Sequence, residues 1–169
     1  NLITPGAGND TLKLHATDAF KHTIVTKASA ALEGTVTVTG GFTLGTNDDV
    51  YDPEAFQVIT NLNAVLTSNP GSATVVEDDA NRLVDITGGQ DITTSAGLTT
   101  ALATGGEYGN IDMAASKKAV FITAASNAAD TINHIFFATS DAAGAITATK
   151  VATIAGLDID VWDDDNVHK

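Results

Sequence analysis

Two glycines and an aspartate stand close together near the start of the chain, in GAGNDTLKL at 6–14. Gly6, Gly8 and Asp10 give the pattern Gly-x-Gly-x-Asp-x-apolar-x, in which Leu12 is the apolar residue. Glycine permits a tight turn whose carbonyl oxygens face inward, and the aspartate adds a charged oxygen. Calcium takes six or more oxygen ligands at about 2.3–2.6 Å, so one such turn supplies about half of a calcium site. A facing turn would have to complete it.

Three acidic clusters further along the chain could also bind calcium through their carboxylates. Asp48, Asp49 and Asp52 lie in GTNDDVYD at 45–52, and the other two clusters lie at 77–79 and 163–165. None has the spacing of an EF-hand loop, and for each a solvated loop or helix cap is the simpler interpretation. The candidate metal residues, with calcium as the ion, are Gly6, Gly8, Asp10, Asp48, Asp49 and Asp52.

Catalytic motifs are missing from the sequence. Neither His-Glu-x-x-His, nor Gly-x-Ser-x-Gly, nor the phosphate-binding Gly-x-x-x-x-Gly-Lys pattern occurs. The absence of cysteine excludes thiolate chemistry and disulfides. We interpret the histidines as structural and predict that the chain is not an enzyme. The four histidines are His15, His22, His134 and His168.

The net charge of −13, from 8 basic and 21 acidic residues, limits the partners that the chain can bind. No basic surface is available to displace counterions from a nucleic acid or to bind an anionic membrane. No stretch reaches the ~18 apolar residues of a membrane span. We therefore predict neither nucleic-acid binding nor membrane insertion, whereas the charge favours solubility and divalent cations.

Short strands dominate the predicted secondary structure, because apolar and polar residues alternate in many segments. Strands are predicted at 11–16, 22–29, 34–44, twice within 73–89 around an acidic turn, and at 118–126, 131–141 and 145–156. The last two are joined by a hairpin loop at 141–144. The predicted fold class is mainly β (α+β), an antiparallel β-sheet or sandwich-like domain with one or two short helices.

Two helices are predicted. The first begins at Asp52, an N-cap followed by Pro53, and ends before SNPG at 68–71. Its apolar residues recur at three- and four-residue steps; they are Phe56, Ile59, Leu62 and Leu66. The second helix lies within 93–104 and places two leucines, Leu98 and Leu102, on one face.

The chain resembles the C-terminal region of RTX-type proteins, the calcium-dependent substrates of bacterial type I secretion. GAGNDTLKL (6–14) is similar to the family's final GGxGxD repeat, and VTVTGGFTLGTNDDVYD (36–52) is similar to its D-F-x-x-G-x-D-x-I-D-L segment. The stretch 132–169 is similar to family tails that run strand, hairpin, strand. In this interpretation 1–16 are the last RTX-like turn and strand, a remnant of a β-roll, and 17–169 are a single β-rich C-terminal domain.

The resemblance implies a secreted, calcium-responsive and non-enzymatic domain of a larger bacterial protein, which serves export, folding or surface attachment. Its location would be extracellular or at the cell surface, and its partners would be the type I secretion machinery, other surface proteins or copies of itself. Because the chain begins without methionine, we expect it to be part of something longer.

Two other functions remain open from the sequence. A β-rich chain dominated by threonine, alanine and glycine suits a self-assembling subunit of a surface layer, biofilm matrix or fibre. A carbohydrate-binding accessory module is the third hypothesis, and it would use Trp162, Tyr51 and Tyr108 to stack on sugars.

Overall fold

The computed structural model describes residues 1–15, 20–25, 34–43, 49–52, 65–68, 74–76, 83–87, 92–124, 131–157 and 162. Within these ranges the chain forms twelve strands and one helix, which confirms the predicted mainly β fold with a short helix. The strands are β1 (Leu2–Ile3), β2 (Asp10–Leu12), β3 (Thr23–Val25), β4 (Val36–Val38), β5 (Val50–Asp52), β6 (Val65–Ser68), β7 (Thr74–Val76), β8 (Leu83–Thr87), β9 (Ile111–Met113), β10 (Lys118–Ala124), β11 (Ile132–Ser140) and β12 (Ile146–Ala155). The helix, α1, is Ser95–Leu102.

A seven-stranded sheet runs through the molecule in the order β2-β4-β12-β11-β10-β8-β6. The pairs that β11 makes with β10 and β12 are antiparallel, and the other pairs in this sheet are parallel. The predicted antiparallel arrangement therefore holds for the last three strands, and the rest of the sheet is parallel. Parallel neighbours require crossover connections, and here the crossovers pass through two smaller sheets.

The N-terminal part of the chain winds as a coil between two sheets. β1, β3 and β5 form a three-stranded parallel sheet, while β2 and β4 join the large sheet. Each β1–β2 or β3–β4 pair is one rung of the coil, and the second rung stacks on the first with Leu2 opposite Thr23 and Asp10 opposite Val36. We call β1–β2 the first rung and β3–β4 the second rung.

The middle of the chain repeats this winding on the other half of the large sheet. β6, β8 and β10 are parallel neighbours in the large sheet, and the intervening β7 and β9 pair with each other in a two-stranded sheet. Both strands predicted within 73–89 are present as β7 and β8. They belong to different sheets, however, so they do not form a hairpin.

The large sheet is buried on both faces, since successive residues of a strand point to opposite sides. Val120 and Ile122 of β10 face a core shared with β3 and β5, whereas Phe121 faces a core shared with α1 and β9. The first core comprises Ile24, Val36, Val38, Phe42, Tyr51, Val120, Ile122, Ala124, Ile135, Val151, Ala152, Ile154, Leu157 and Trp162. The second comprises Ile92, Leu98, Ala101, Leu102, Tyr108, Ile111, Met113, Ala119, Phe121, Phe136, Ala138, Ile146 and Ala148.

One of the two helix predictions is confirmed. α1 lies within the predicted 93–104 and buries Leu98 and Leu102, and the Thr94 side chain accepts a hydrogen bond from the Gly97 N–H at 3.1 Å as its N-cap.

The helix predicted from Asp52 is wrong at its C-terminal end, and most of it falls outside the described residues. Asp52 ends strand β5 and Leu66 lies in strand β6, while 53–64 fall outside the described residues. The segments Val50–Asp52 and Val65–Ser68 each pair in parallel with a neighbouring strand, β3 and β8 respectively. The pairing of β6 with β8 overrides the helical spacing that includes Leu66, because propensity is a weak preference.

Candidate functional site

The turn of the first rung has the backbone that the glycine pattern predicts. Gly6 and Gly8 have φ angles of 96° and 108°, in the left-handed region that glycine alone adopts at low cost. Asp10 begins β2, where its N–H donates to the Thr35 carbonyl at 3.2 Å. The Oδ2 atom of the Asp10 carboxylate is buried and has no hydrogen-bond partner among the described residues. A buried carboxylate oxygen of this kind is costly unless a cation or a donor reaches it.

The described residues of the second rung do not supply the facing half of a calcium site. Val36 is the register partner of Asp10, so an apolar residue lies where a second aspartate would be needed. The two turns are instead joined by protein contacts. The Thr35 N–H donates to Oδ1 of Asn9 at 3.0 Å, and a Cβ placed on Gly34 would lie 2.4 Å from the Gly8 carbonyl oxygen. The other side of the first rung is open, because β1 and β2 are both edge strands among the strands described.

Asp49 and Asp52 lie elsewhere in the coil, and Asp48 falls outside the described residues. Asp49 is 1% exposed, and its Oδ1 accepts from the His22 backbone N–H at 2.7 Å and lies 3.0 Å from His22 Nδ1. Its Oδ2 accepts from the Thr43 N–H at 2.8 Å. Both oxygens are therefore used to join β3 and the loop after β4 to the start of β5. Asp52 is buried in β5.

The structure does not bring these predicted ligands together. Asp10 lies in the large sheet and Asp52 in the three-stranded sheet. Across the described ranges, no group of three or more histidine, aspartate or glutamate side chains is placed to hold a metal ion. The calcium site at Gly6, Gly8 and Asp10 therefore stays a prediction that depends on ligands from beyond the described residues.

Two of the histidines are buried, His22 just before β3 and His134 within β11. His22 pairs with Asp49, and His134 of β11 has its Nδ1 3.4 Å from the Thr153 hydroxyl of β12. The His22–Asp49 pair joins neighbouring rungs and could not be found from the sequence, since no local pattern marks a contact between positions so far apart.

The aromatic rings proposed for sugar stacking are interior. Trp162 is 3% exposed, and its ring stacks on Phe42 with the centroids 5.7 Å apart. Tyr51 and Tyr108 are fully buried in the two cores. None of the three presents an exposed ring face on which a sugar could stack. These three residues therefore do not support the carbohydrate-binding hypothesis.

A cavity that the sequence did not reveal lies beside α1 and has a volume of about 410 Å³. Its lining residues come from the helix and the following loop, and they are Thr94, Ala96, Gly97, Thr100, Ala101, Gly105, Gly106 and Glu107. Glu107 is the only charged residue of this set. Burial and the Glu107 carboxylate together raise the pKa of the neighbouring Tyr108 to about 12. We call this space the α1 cavity.

Comparison with known proteins finds no match to a family model, to a curated protein or to a solved structure. Within the described part of the chain, no helix is long and apolar enough to cross a membrane.

Proposed function

We propose that the chain is a secreted, calcium-responsive and non-enzymatic C-terminal domain of an RTX-like bacterial protein. In this proposal a parallel coil formed by upstream residues stacks on the first rung and ends there. The observation that carries the proposal is the open first rung. β1 and β2 are each the edge strand of a sheet, and both pair in parallel on their inner side only, among the strands described.

An open sheet edge leaves backbone donors and acceptors without sheet partners. In β2 the N–H of Asp10 and the carbonyl of Leu12 bond to the β4 strand and its flanks, so the N–H and carbonyl of the intervening Thr11 face the open edge. Leu2 of β1 is 69% exposed. A preceding rung stacked in the same parallel manner would satisfy the backbone groups and cover Leu2.

The same upstream rung would complete the metal site. Its turn would face Gly6, Gly8 and Asp10 from the open side. The Oδ2 atom of Asp10 is buried without a hydrogen-bond partner among the described residues, so a cation or a donor that reached it would stabilise the carboxylate. Calcium would then join the upstream coil to this domain, which makes folding of the junction calcium-dependent.

The metal part of the proposal is tested on the longer protein that includes residues upstream of Asn1. Calcium at one hundred times its Kd stabilises by about 2.7 kcal/mol, which corresponds to roughly 5–10 °C in Tm for a domain of this size. We expect Asp10→Asn to remove most of this shift. Asp112→Asn, at an exposed position of β9, is the matched control and should keep it. An unchanged Tm of the longer protein in millimolar calcium would contradict the metal site.

The export part is tested separately. The chain is fused behind a reporter protein in a bacterium that carries a type I secretion system, and the reporter is assayed in the medium. Export that is lost when the chain is removed supports the proposal. Retention of the intact fusion in the cytoplasm contradicts it.

Self-assembly is the second candidate, and strand direction favours it. The edge strands of the large sheet, β2 and β6, run in the same direction, because each is related to β11 through parallel pairs and one antiparallel pair. β6 of one copy could therefore extend the sheet beside β2 of the next copy. Head-to-tail contacts of this kind give fibres or layers wherever the rotation between copies does not close a ring.

The two candidates use the same edge of β2 and differ in what occupies it. We expect Thr11→Pro to block either partner, because proline removes the outward-facing donor. If copies assemble, the chain alone should form large species whose size rises with concentration, and Thr11→Pro should abolish them. A chain that elutes as a monomer at high concentration contradicts self-assembly and leaves the upstream rung as the occupant.

A further inference from the structure

We propose that the α1 cavity binds an alkylammonium group, of the kind carried by a lysine side chain or a short diamine. The inference goes beyond the role of the chain as a terminal domain, and it rests on the size, the walls and the polar groups of this cavity alone.

The volume of about 410 Å³ lies within the range of small-ligand pockets, and it exceeds what an ammonium head group alone would fill. The walls beyond the polar groups are the small side chains of Ala96 and Ala101 and the backbone of three glycines. Small walls of this kind leave room for the methylene chain that carries the charged group. Contact between these walls and the methylenes buries apolar surface, which is favourable.

The polar groups of the cavity mainly accept hydrogen bonds. Glu107 is acceptor-only when ionised. The Thr100 hydroxyl donates to the Ala96 carbonyl at 2.9 Å, so its oxygen has lone pairs left for a donor from a ligand. An ammonium group offers three donors and no acceptor, which complements this set. An anion would be repelled by Glu107, and the net charge of −13 attracts cations from solution.

The loop that carries Glu107 is fixed against the helix. The Tyr108 N–H donates to the Ala101 carbonyl at 2.8 Å, and the Gly106 N–H donates to the Ala103 carbonyl at 2.7 Å. Gly106 approaches the helix so closely that an added Cβ would lie 2.5 Å from the Ala101 carbonyl oxygen. The backbone that carries Glu107 is therefore fixed at the cavity before any ligand arrives, which lowers the ordering cost of binding.

The test is an NMR titration of the backbone amides in a chelating buffer, so that calcium does not compete. Cadaverine and Nα-acetyl-lysine methylamide are the two ammonium probes, and Nα-acetyl-norleucine methylamide is the neutral analogue. We expect saturable shifts at the amides of Gly97, Gly105 and Gly106 with the ammonium probes. The Glu107→Gln variant should bind ~10-fold or more weakly, because a charge-assisted hydrogen bond is lost.

Asp112→Asn is the control for general attraction to an acidic surface, since Asp112 is exposed on β9 and does not line the cavity. It should bind as the unchanged chain does. Response to the lysine probe alone would identify a protein side chain as the ligand, and response to both would identify the ammonium group in general. Equal binding of the neutral analogue, equal binding by Glu107→Gln in a folded variant, or shifts spread over the surface that Asp112→Asn reduces equally would each overturn the proposal.

Discussion

At the scale of single residues, Asp49 shows how an acidic side chain can resemble a metal ligand in the sequence and have its oxygens used within the protein. Its carboxylate accepts from the backbone N–H groups of His22 and Thr43. These contacts join three segments of the coil.

Asp49→Ala should lower the free energy of unfolding by about 3 kcal/mol, because two backbone donors lose their acceptor. Asp49→Asn should cost less, since its amide oxygen can replace one of the two carboxylate oxygens. Urea unfolding in a chelating buffer measures both. Asp112→Ala, at an exposed position, is the control and should change stability by less than about 0.5 kcal/mol. A loss for Asp49→Ala that is seen with calcium and vanishes in chelator would show that Asp49 is a ligand after all.

Tyr108 gives a prediction about pH. Burial and the Glu107 carboxylate raise its pKa from 10.0 to about 12, so the fold favours the neutral phenol. The stability that this provides is fully present below pH 10 and is lost as the pH rises through about 12.

An NMR titration of labelled tyrosine rings measures the pKa of Tyr108 directly. Glu107→Gln should lower this pKa without returning it to the ordinary value, because burial is the larger cause. A Tyr108 pKa near 10 in the unchanged chain would contradict the buried environment.

Residues also differ in how far the sequence reveals their role. The left-handed backbone at Gly6 and Gly8 follows from glycine in a turn pattern, because few other residues adopt it. The His22–Asp49 contact and the α1 cavity depend on the stacking of distant segments. No local signal marks them.

At the scale of elements, the first two rungs are held together by an approach of their turns that only glycine allows. Gly34 has a φ of 79°, and a Cβ added there would lie 2.4 Å from the Gly8 carbonyl oxygen. Gly34→Ala should therefore destabilise by more than the 1–2 kcal/mol of a left-handed alanine alone.

Gly156 provides the matched control for this substitution. Its φ is 98° and a Cβ there would meet nothing within 4 Å, so Gly156→Ala carries the backbone cost without the clash. Comparing the two variants by urea unfolding isolates the contribution of the rung contact. Equal losses would show that the turns can separate at no cost.

α1 completes the edge of β12 through its polar side chains. The Thr99 hydroxyl accepts from the Ala148 N–H at 3.0 Å, and the Ser95 hydroxyl accepts from the Lys150 N–H at 2.8 Å. The threonines that make this helix weak by propensity therefore act as hydrogen-bond partners for a strand.

Thr99→Ala should cost about 1–2 kcal/mol, because the Ala148 N–H is left without its acceptor. Thr99→Ser should retain most of the stability, since it keeps the hydroxyl. Thr100→Ala is the control, because the Thr100 hydroxyl bonds only within the helix in the contacts found, to the Ala96 carbonyl. Thermal melts of the three variants test the order. A Thr99→Ala variant as stable as Thr100→Ala would refute the bridging role.

The sequence predicts well those elements in which the spacing of apolar residues matches the residues that the structure buries. β10, β11, β12 and α1 were expected where they lie, because each has enough residues for its period to be visible. The helical spacing that was expected to run to Leu66 fails there, because Leu66 lies in β6, a strand of four residues. Strands this short show too little alternation to outweigh a local signal, and their pairing comes from distant segments.

At the scale of the whole molecule, the sequence predicted β structure but not parallel coils. Stacked rungs are usually recognised by an internal repeat, and here the second rung places Val36 opposite Asp10 and a single glycine, Gly34, opposite the double-glycine turn. Only a few register partners are identical, namely Ile3 with Ile24 and Thr11 with Thr37, so no internal repeat is visible in the sequence. Topology of this kind is set by burial on both faces of the large sheet, which no single segment encodes.

The large sheet predicts that the two halves of the molecule unfold together. β11 and β12 are long strands that pair with each other and join β10 on one side to β4 on the other. The two cores lie on opposite faces of this one sheet. If the sheet unfolds, both cores lose the strands that they pack on, so we expect both to unfold in one transition. Trp162, the only tryptophan, reports on the first core by fluorescence, and α1 reports on the second by NMR of its amides.

Both probes should follow the same urea transition, and Gly34→Ala, in the first coil, should shift both midpoints equally. Because Gly34 is remote in sequence from α1, an equal shift at α1 requires that the free energy of the rung contact is transmitted through β4, β12 and β11. If instead the tryptophan transition moved while the α1 transition stayed in place, the two coils would be separate folding units. The first rung would then belong to a unit that unfolds independently of α1 and the second core.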